Sequence, residues 1–256
     1  MPLDTAPTDA PLLAPAGVSP HADSTARPTL SVIMPLYNEE ATLADVIHRV
    51  LSLDFGVDID LIAVDDGSSD GSTAILHSIP DPRLRVAIHA ENKGKGAAIR
   101  TGLNAAMGDI VVIQDADLEY DPTQWETLIQ PILRGDADVV YGSRFLGRPE
   151  GMRWQNRLAN EALTALTGLL FRARITDMET CYKLIRLDVL DDVRLEASRF
   201  DVEPEITARL LRRGVTIHEL PIDYVARSHE DGKKIGWRDG IAAVRTLLKW
   251  RLRPAA

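Results

Sequence analysis

Apolar and polar positions along the first half of the chain alternate between two periods. Short runs dense in branched apolar residues, at 30–35, 59–64, 84–88, 109–114 and 137–141, read as strands. Between them the apolar residues recur at helical spacing. The first such stretch is 39–53, with Leu43, Val46, Ile47, Val50 and Leu51 on one face. Helices are likewise expected at 73–79, 94–106 and 122–133, the last with Pro122 in its first turn. Strand followed by helix, repeated, predicts a mostly parallel sheet with helices on both faces. Past Gly142 the rhythm changes. Residues 154–171 and 202–213 read as helices, 216–219 and 222–225 as short strands, and 237–252 as a last amphipathic helix. Residues 1–28, rich in Pro, Ala, Thr and Asp and without periodicity, are expected to form a disordered tail. The expectation is one α/β domain over 29–236, in two halves at 29–142 and 143–236, with a basic helix at 237–256.

The polar residues that follow the strands change the picture from fold to chemistry. Pro35-Leu36-Tyr37-Asn38-Glu39-Glu40 follows the first strand, Asp65-Asp66-Gly67-Ser68 the second and Asp115-Ala116-Asp117 the fourth. In an open α/β sheet the carboxyl ends of the strands share one crevice, where ligands bind. Residues two apart in extended backbone point the same way, so Asp115 and Asp117 are expected to converge. Two hard carboxylates suit Mg²⁺ or Mn²⁺, which takes waters and phosphate oxygens as its other ligands. Tyr37 and Glu39 can border a nucleotide base and ribose, and Asp65 or Asp66 can accept hydrogen bonds from either. The competing reading of 65–70 is a turn with helix-capping carboxylates. Asn92-Lys93-Gly94-Lys95-Gly96 opens a helix whose amides, dipole and a lysine can meet a phosphate. It lacks the Gly-Lys-Ser/Thr ending of a Walker loop.

Composition narrows the classes. With 256 residues the chain accommodates one large α/β domain, and its 45% hydrophobic content permits a sizeable core. A net charge of -9 argues against general nucleic-acid binding. The single cysteine, Cys181, excludes an intramolecular disulfide and a cysteine zinc site, and fits a reducing compartment. No run approaches the ~20 apolar residues of a membrane span. The N-terminus carries Asp4 and Asp9 and does not read as a secretory signal. The expected location is cytoplasmic, either soluble or peripheral on the inner face of the membrane.

Together these motifs resemble family-two glycosyltransferases of the GT-A (Rossmann-like) fold, and most of all the polyprenyl-phosphate (dolichyl-phosphate) mannosyl- and glucosyltransferases. The residues carrying the resemblance are Val32 to Glu40, Val64-Asp65-Asp66-Gly67-Ser68-Ser69-Asp70, Asn92 to Gly96, Gln114-Asp115-Ala116-Asp117-Leu118-Glu119 and Gly142-Ser143-Arg144, in the family's order. The resemblance spans about residues 30–230. It implies a mixed, mostly parallel sheet in a single domain, and inverting transfer of a hexose, with mannose leading, from a nucleotide sugar to a polyprenyl phosphate. GDP-mannose is the leading donor and UDP-glucose the runner-up. Residues 29–142 become the nucleotide-sugar half and 143–236 the acceptor half. Implied donor contacts are Pro35, Tyr37, Glu39, Asp65, Asp66, Lys93, Gly96, Asp115 and Ala116. Implied metal ligands are Asp115, Asp117 and Glu119, where relatives carry Gln in place of Glu119. Metal and lysine would stabilise the leaving nucleoside diphosphate.

The acceptor half offers its own candidates. Arg144 follows the fifth strand, and Asp177 and Glu179 lie where the family has an acidic motif. Asp117, Asp177, Glu179 and Arg144 form the expected catalytic set. Asp177 or Glu179 is the base for an acceptor hydroxyl; an already anionic acceptor phosphate needs no strong base, and the acid then positions the sugar or a cationic side chain. Arg144, Arg227 and Lys233 or Lys234 are the expected acceptor-phosphate contacts, the last three on a segment similar to the family's Arg-x-x-Gly-x-Ser-Lys loop. Cys181 as nucleophile and His229 as metal ligand are weaker readings. The 237–252 helix, with Arg245, Lys249 and Arg251, suits either an anionic membrane surface or core packing. A same-fold transferase acting on a soluble saccharide or metabolite, and a non-catalytic sugar-nucleotide binder, are the alternatives.

Overall fold

The structure, a computed structural model, describes residues 27–191, 193–226 and 237–254, with no side chain described for Trp237 and Arg238. Strand β1 (Thr29–Leu36) forms the centre of the first half. Every residue from Leu30 to Leu36 is buried, as expected of a parallel strand covered on both faces. It pairs in parallel with β2 (Asp58–Asp65) on one side and β4 (Ile110–Ile113) on the other, and β3 (Leu84–Ile88) extends the sheet beyond β2. Helix α1 (Leu43–Leu51) turns Leu43, Val46, Ile47, Val50 and Leu51 into the main core, the five residues that the helical spacing singled out. Helix α2 (Ser72–Ser78) follows β2, and α3 (Lys95–Ala105) follows β3, packing Ala98 against Ile62 and Val64.

The stretch expected as one helix at 122–133 is divided. A 3₁₀ turn at Pro122–Gln124, capped by the Asp121 carboxylate on Thr123 N, leads into α4 (Trp125–Leu128) and α5 (Gln130–Leu133). Pro131, early in α5, carries no N–H to continue the ladder.

The second half departs further from the periodicity. Strand β5 runs over Val139–Glu150, well past the expected end at 141. Its last six residues alternate half-buried and exposed, so no continuous apolar run marks them. Helix α6 (Trp154–Phe171) follows as expected. Strand β6 (Lys183–Arg186) was not expected, being four residues long with a charged residue at each end. It inserts antiparallel between β4 and β5. Helix α7 is Val202–Arg212, with Pro204 in its first turn. One strand, β7 (His218–Val225), replaces the two expected around Pro221, and pairs in parallel with β5. Pro221 is tolerated because β7 is the edge strand.

The result is one seven-stranded sheet of order β3-β2-β1-β4-β6-β5-β7, mixed but mostly parallel. Helix α8 (Trp237–Leu252) is part of the same body. Leu247 and Trp250 pack with Met178 and Ala208, and with Leu163, Leu166 and Leu170 of α6. Lys249 of the helix and Arg253, just past its end, pair with Glu196, and the buried Leu247 and Trp250 match the core-packing reading. The tail boundary also moves: Pro28 accepts a hydrogen bond from Asp58 N, and Arg27 pairs with Asp54, so order reaches at least Arg27. The remainder of the 1–28 reading lies outside the described residues.

Candidate active site

The carboxyl edge of β1, β2 and β4 gathers the first-half motifs, as the strand order requires. Asn38, just past β1, takes a left-handed conformation (φ 53°), which asparagine tolerates better than most residues. There its amide donates to Ser68 Oγ at 2.9 Å and its side-chain oxygen accepts from Ser69 N at 2.8 Å. Glu40 accepts from Gly71 N, and Asp70 from Glu40 N. The loops after β1 and β2 are thus tied together, and Tyr37 and Glu39 stand half-buried between them.

Asp65 and Asp66 are buried and turned to their own surroundings. Asp65 accepts from Ser68 N at 2.9 Å and from Thr73 Oγ1. Asp66 accepts from Lys93 N at 2.9 Å and Gly94 N at 2.7 Å, and contacts His89 Nδ1 at 2.7 Å. These bonds shape the loops before α2 and α3. Pro35 and Ala116 are buried as well, Pro35 within β1 opposite Val64. The side chains of these four residues are buried, and the two aspartates hold the loops that border the crevice.

Gly96 is buried as well. A Cβ there would stand 2.7 Å from the Ala197 carbonyl oxygen, and one on Gly94 (φ +94°) would stand 2.3 Å from that of Ser198. Ala97 N donates to Ser198 O at 3.2 Å. The glycines therefore admit the 197–198 backbone against the start of α3, and a phosphate cannot occupy that space. Lys93 precedes the helix and is exposed. Lys95, the first residue of α3, is the lysine that enters the site: its Nζ lies 2.7 and 2.9 Å from the two oxygens of Asp115. Burial works against its charge, but Asp115, Cys181 and Glu203 outweigh burial and hold its pKa well above the ordinary lysine value. The helix start fixes the direction of Lys95, which the motif Lys93-Gly94-Lys95 left open.

Asp115 and Asp117 lie past Ile113, the last residue of β4, in a stretch that bends at Ala116. Strand alternation therefore does not set their directions. Thr42 Oγ1 donates to Ala116 O at 2.8 Å and pins the bend to the start of α1, and Asp117 Oδ1 accepts from Glu119 N at 3.0 Å. Glu119 receives the Tyr224 hydroxyl at 2.8 Å. Among the described residues no group of three or more His, Cys, Asp or Glu is arranged to hold a metal ion. In this arrangement Glu119 is engaged by the Tyr224 hydroxyl of β7. Asp115 and Asp117 alone still fit Mg²⁺ or Mn²⁺ chemically. Such ions are commonly held by one or two carboxylates, with substrate phosphates completing the shell.

On the acceptor side, Arg144 and Asp177 form a buried bidentate pair. Arg144 donates from Nε and one terminal nitrogen to the two Asp177 oxygens at 2.7 Å each, and its backbone N to Oδ2 at 3.0 Å. Burial opposes the guanidinium charge, while Tyr120 and Asp177 more than restore it. The plane packs by the Tyr224 ring, 5.3 Å from its centroid. Glu219 of β7 accepts from Thr176 N (2.7 Å) and Asp177 N (3.0 Å), fixing the loop that carries the pair. Asp177 has no exposure and is the counter-ion of Arg144.

Glu179 differs. Its Oε1 is buried with no hydrogen-bond partner among the described residues. Burial pushes its pKa up to about 7, with Glu203 and Asp177 adding and Lys183 and Arg144 opposing. A carboxyl poised near neutrality is suited to taking and returning a proton. Cys181 is buried, and burial pushes its thiol well up, which removes it as a nucleophile. Two residues absent from the sequence reading underlie this centre. Lys183 of β6 and Glu203 of α7 are an ion pair with Lys183 wholly buried. Arg227, Lys233, Lys234 and His229 lie outside the described residues.

A family model, Glycosyl transferase family 2, matches residues 31–194. The chain belongs to this family. Among curated relatives it is 28% identical over 211 residues to the undecaprenyl-phosphate 4-deoxy-4-formamido-L-arabinose transferase of Aeromonas hydrophila, covering 80% of this chain and 62% of that one. It is 25% identical over 229 residues to the dolichol-phosphate mannosyltransferase of Pyrococcus furiosus, covering 86% and 64%. The chain thus spans somewhat over 60% of the length of these relatives. Among solved structures, glucosyl-3-phosphoglycerate synthase from Mycobacterium tuberculosis with Mn²⁺ and UDP-glucose superposes with TM-score 0.69 at 25% identity, covering 90% of this chain and 81% of that one. The family-two match ends at 194, so β1 to β6 and the motifs through Glu179 fall within it, while Glu203 and β7 lie beyond. The single α/β domain with a mostly parallel sheet is the fold of these neighbours.

Proposed function

We propose that this chain is an inverting glycosyltransferase that moves a hexose, mannose first, from a nucleotide sugar to a polyprenyl phosphate with the help of Mg²⁺ or Mn²⁺. The observation that carries the reading is the pairing of two kinds of chemistry. Lys95 and Asp115 form an anion- and cation-handling centre at the β4 edge, and Glu179, with a pKa of about 7, forms a proton-handling centre beside Arg144. The names of the curated relatives support a polyprenyl-phosphate acceptor. The mannosyltransferase relative supports GDP-mannose, and the UDP-glucose complex keeps UDP-glucose as the second donor.

Tyr37 and Glu39 border the nucleoside, in a pocket whose loops Asp65 and Asp66 hold. Exposed Lys93 meets the donor from its rim. Asp115 and Asp117 would hold the divalent cation, which neutralises charge developing on the leaving diphosphate. An acceptor phosphate oxygen attacks the anomeric carbon, and the bond from that carbon to the diphosphate breaks on the opposite face. A phosphate monoester loses its second proton near pH 6, so the oxygen is mostly anionic at neutrality. Glu179 takes the proton from any monoanionic acceptor. Asp177 holds Arg144 extended for the acceptor phosphate, with Arg227 and Lys233 or Lys234 as its further contacts. No helix among the described residues is long and apolar enough to cross a membrane. Exposed Trp154 and Leu158, flanked by Arg153 and Arg157, favour peripheral contact through α6.

A soluble phosphorylated acceptor is the second reading, favoured by the phosphoglycerate-acting structural neighbour. The test is transfer of radiolabel from GDP-mannose or UDP-glucose to a short polyprenyl phosphate, with Mn²⁺ and detergent. Label in the organic phase, lost on Asp117→Ala, supports the proposal. Metal-dependent donor consumption with no organic label moves the acceptor to a soluble molecule, and full activity of Asp117→Ala rejects the metal assignment.

A further inference from the structure

Lys95 stands between two carboxylates. Both oxygens of Asp115 hold its Nζ, at 2.7 and 2.9 Å, while Glu203 Oε1 lies 3.7 Å away on the other side. Glu203 belongs to the first turn of α7 and is 5% exposed. Its Oε2 receives Lys183 Nζ at 2.5 Å, but its Oε1 is buried with no hydrogen-bond partner among the described residues. Buried carboxylate oxygens left without a partner are costly and rare in settled structures. This one faces an ammonium about half an ångström beyond hydrogen-bonding range, on a flexible four-carbon stem. Lys183 and Thr180 anchor the rest of the group: Lys183 Nζ is also bonded to the Thr180 carbonyl. The Glu203 carboxylate is therefore fixed in place, with one oxygen unused.

With an ammonium across both of its oxygens, Asp115 is a weaker ligand for a divalent cation, because the two cations repel each other and compete for the same carboxylate. We propose that Glu203 is a positioning residue that receives the Lys95 ammonium when Asp115 is released to a divalent cation and diphosphate, so that the Lys95–Asp115 ion pair is a latch of the donor-free protein. The inference rests on the donor reading of the previous section. The arrangement is balanced in charge. Two carboxylates and two ammoniums share the buried space, and the incoming cation displaces Lys95 onto a carboxylate already held by Lys183.

The experiment is a titration of Mn²⁺ into the purified chain, with bound ion counted from the loss of the free-ion electron paramagnetic resonance signal, alone and with UDP or GDP. Lys95→Met unlatches Asp115 and is expected to tighten binding of Mn²⁺ alone, on the order of tenfold, a usual size for coupled sites. Glu203→Gln is expected to weaken binding of Mn²⁺ with the diphosphate by a similar factor when Lys95 is present, and to change nothing in the Lys95→Met background. Weaker or unchanged Mn²⁺ binding by Lys95→Met overturns the latch, leaving Lys95 a phosphate ligand only. An equal effect of Glu203→Gln in both backgrounds overturns the role of Glu203. If Glu203→Gln fails to fold, the Lys95→Met titration decides alone. Failure of the unmutated chain to bind Mn²⁺ with either nucleotide overturns the donor reading and the latch together, whereas binding without coupling overturns only the latch.

Discussion

Replacing Glu179 with Gln gives the site its sharpest test, because the pH dependence has a fixed sign. In the unfolded chain this carboxyl titrates near 4.5, and in the folded chain burial raises it to about 7. The folded state therefore holds the proton more tightly. The stability from that proton is fully present below about pH 4.5 and is lost as the pH rises through about 7. A rise from 4.5 to about 7, at 1.36 kcal/mol per pH unit, sets the full loss at about 3 kcal/mol. Glutamine has the same shape and never ionises, so Glu179→Gln removes the loss. Urea unfolding at intervals from pH 5 to 8.5 reads it directly. The stability of the variant relative to the unmutated chain should rise by ~2–3 kcal/mol across that range, on top of any constant offset. A difference that stays flat with pH, or that moves in favour of the unmutated chain, refutes the buried-acid account. Activity provides a separate readout. If Glu179 accepts a proton during transfer, the rate of the unmutated enzyme climbs through about pH 7, and the variant loses that limb along with roughly 10²–10⁴-fold in rate.

Two further predictions concern how the site is held. Asp177→Asn leaves the Arg144 guanidinium buried without its counter-ion and should cost about 3–5 kcal/mol in denaturant unfolding; a loss below about 1 kcal/mol would show that the pair is not the anchor described. Gly94→Ala places a Cβ 2.3 Å from the Ser198 carbonyl at a φ of +94°, so a loss of at least ~1–3 kcal/mol is expected, together with weakened donor binding as the Asp66-held loop shifts. A neutral effect on both, by melting and by nucleotide titration, would show that the 197–198 backbone does not press on α3.

Most of the first half of the fold was legible because its strands and its helices up to α3 obey one simple period each, whereas the 122–133 stretch divides. Val32, Ile33 and Met34 are buried on both faces of β1, so a plain apolar run announces the strand. Leu43, Val46, Ile47 and Val50 lie one turn apart and share a face of α1. The strands of the second half obey neither period. Lys183 to Arg186 is too short and too charged to read as a strand, and its charged ends are satisfied partly by groups far along the chain, Lys183 by Glu203 and Arg186 by Asp138. Pro221 broke β7 in the sequence reading, but on the sheet edge a missing N–H costs nothing to a neighbouring strand.

The same division runs through the site. Strand-end chemistry can be read from sequence, because topology alone brings the ends of β1, β2 and β4 to one edge. Which atoms meet there depends on insertions that topology does not announce. Lys95 and Lys93 are two residues apart in one motif, yet only the one that begins α3 reaches Asp115. Glu203 would ordinarily be read as an acidic residue favourable to a helix N-terminus. It is instead a buried counter-ion, because β6 threads between β4 and β5 and delivers Lys183 beneath it. Glu119, read from sequence as a metal ligand, also receives the Tyr224 hydroxyl of β7. In each case a carboxylate that local sequence assigns to solvent or to a metal is claimed by an element far along the chain. The second half thereby shapes the surroundings of the first-half carboxylates, and through Glu203 it reaches the Lys95–Asp115 ion pair at the start of α3.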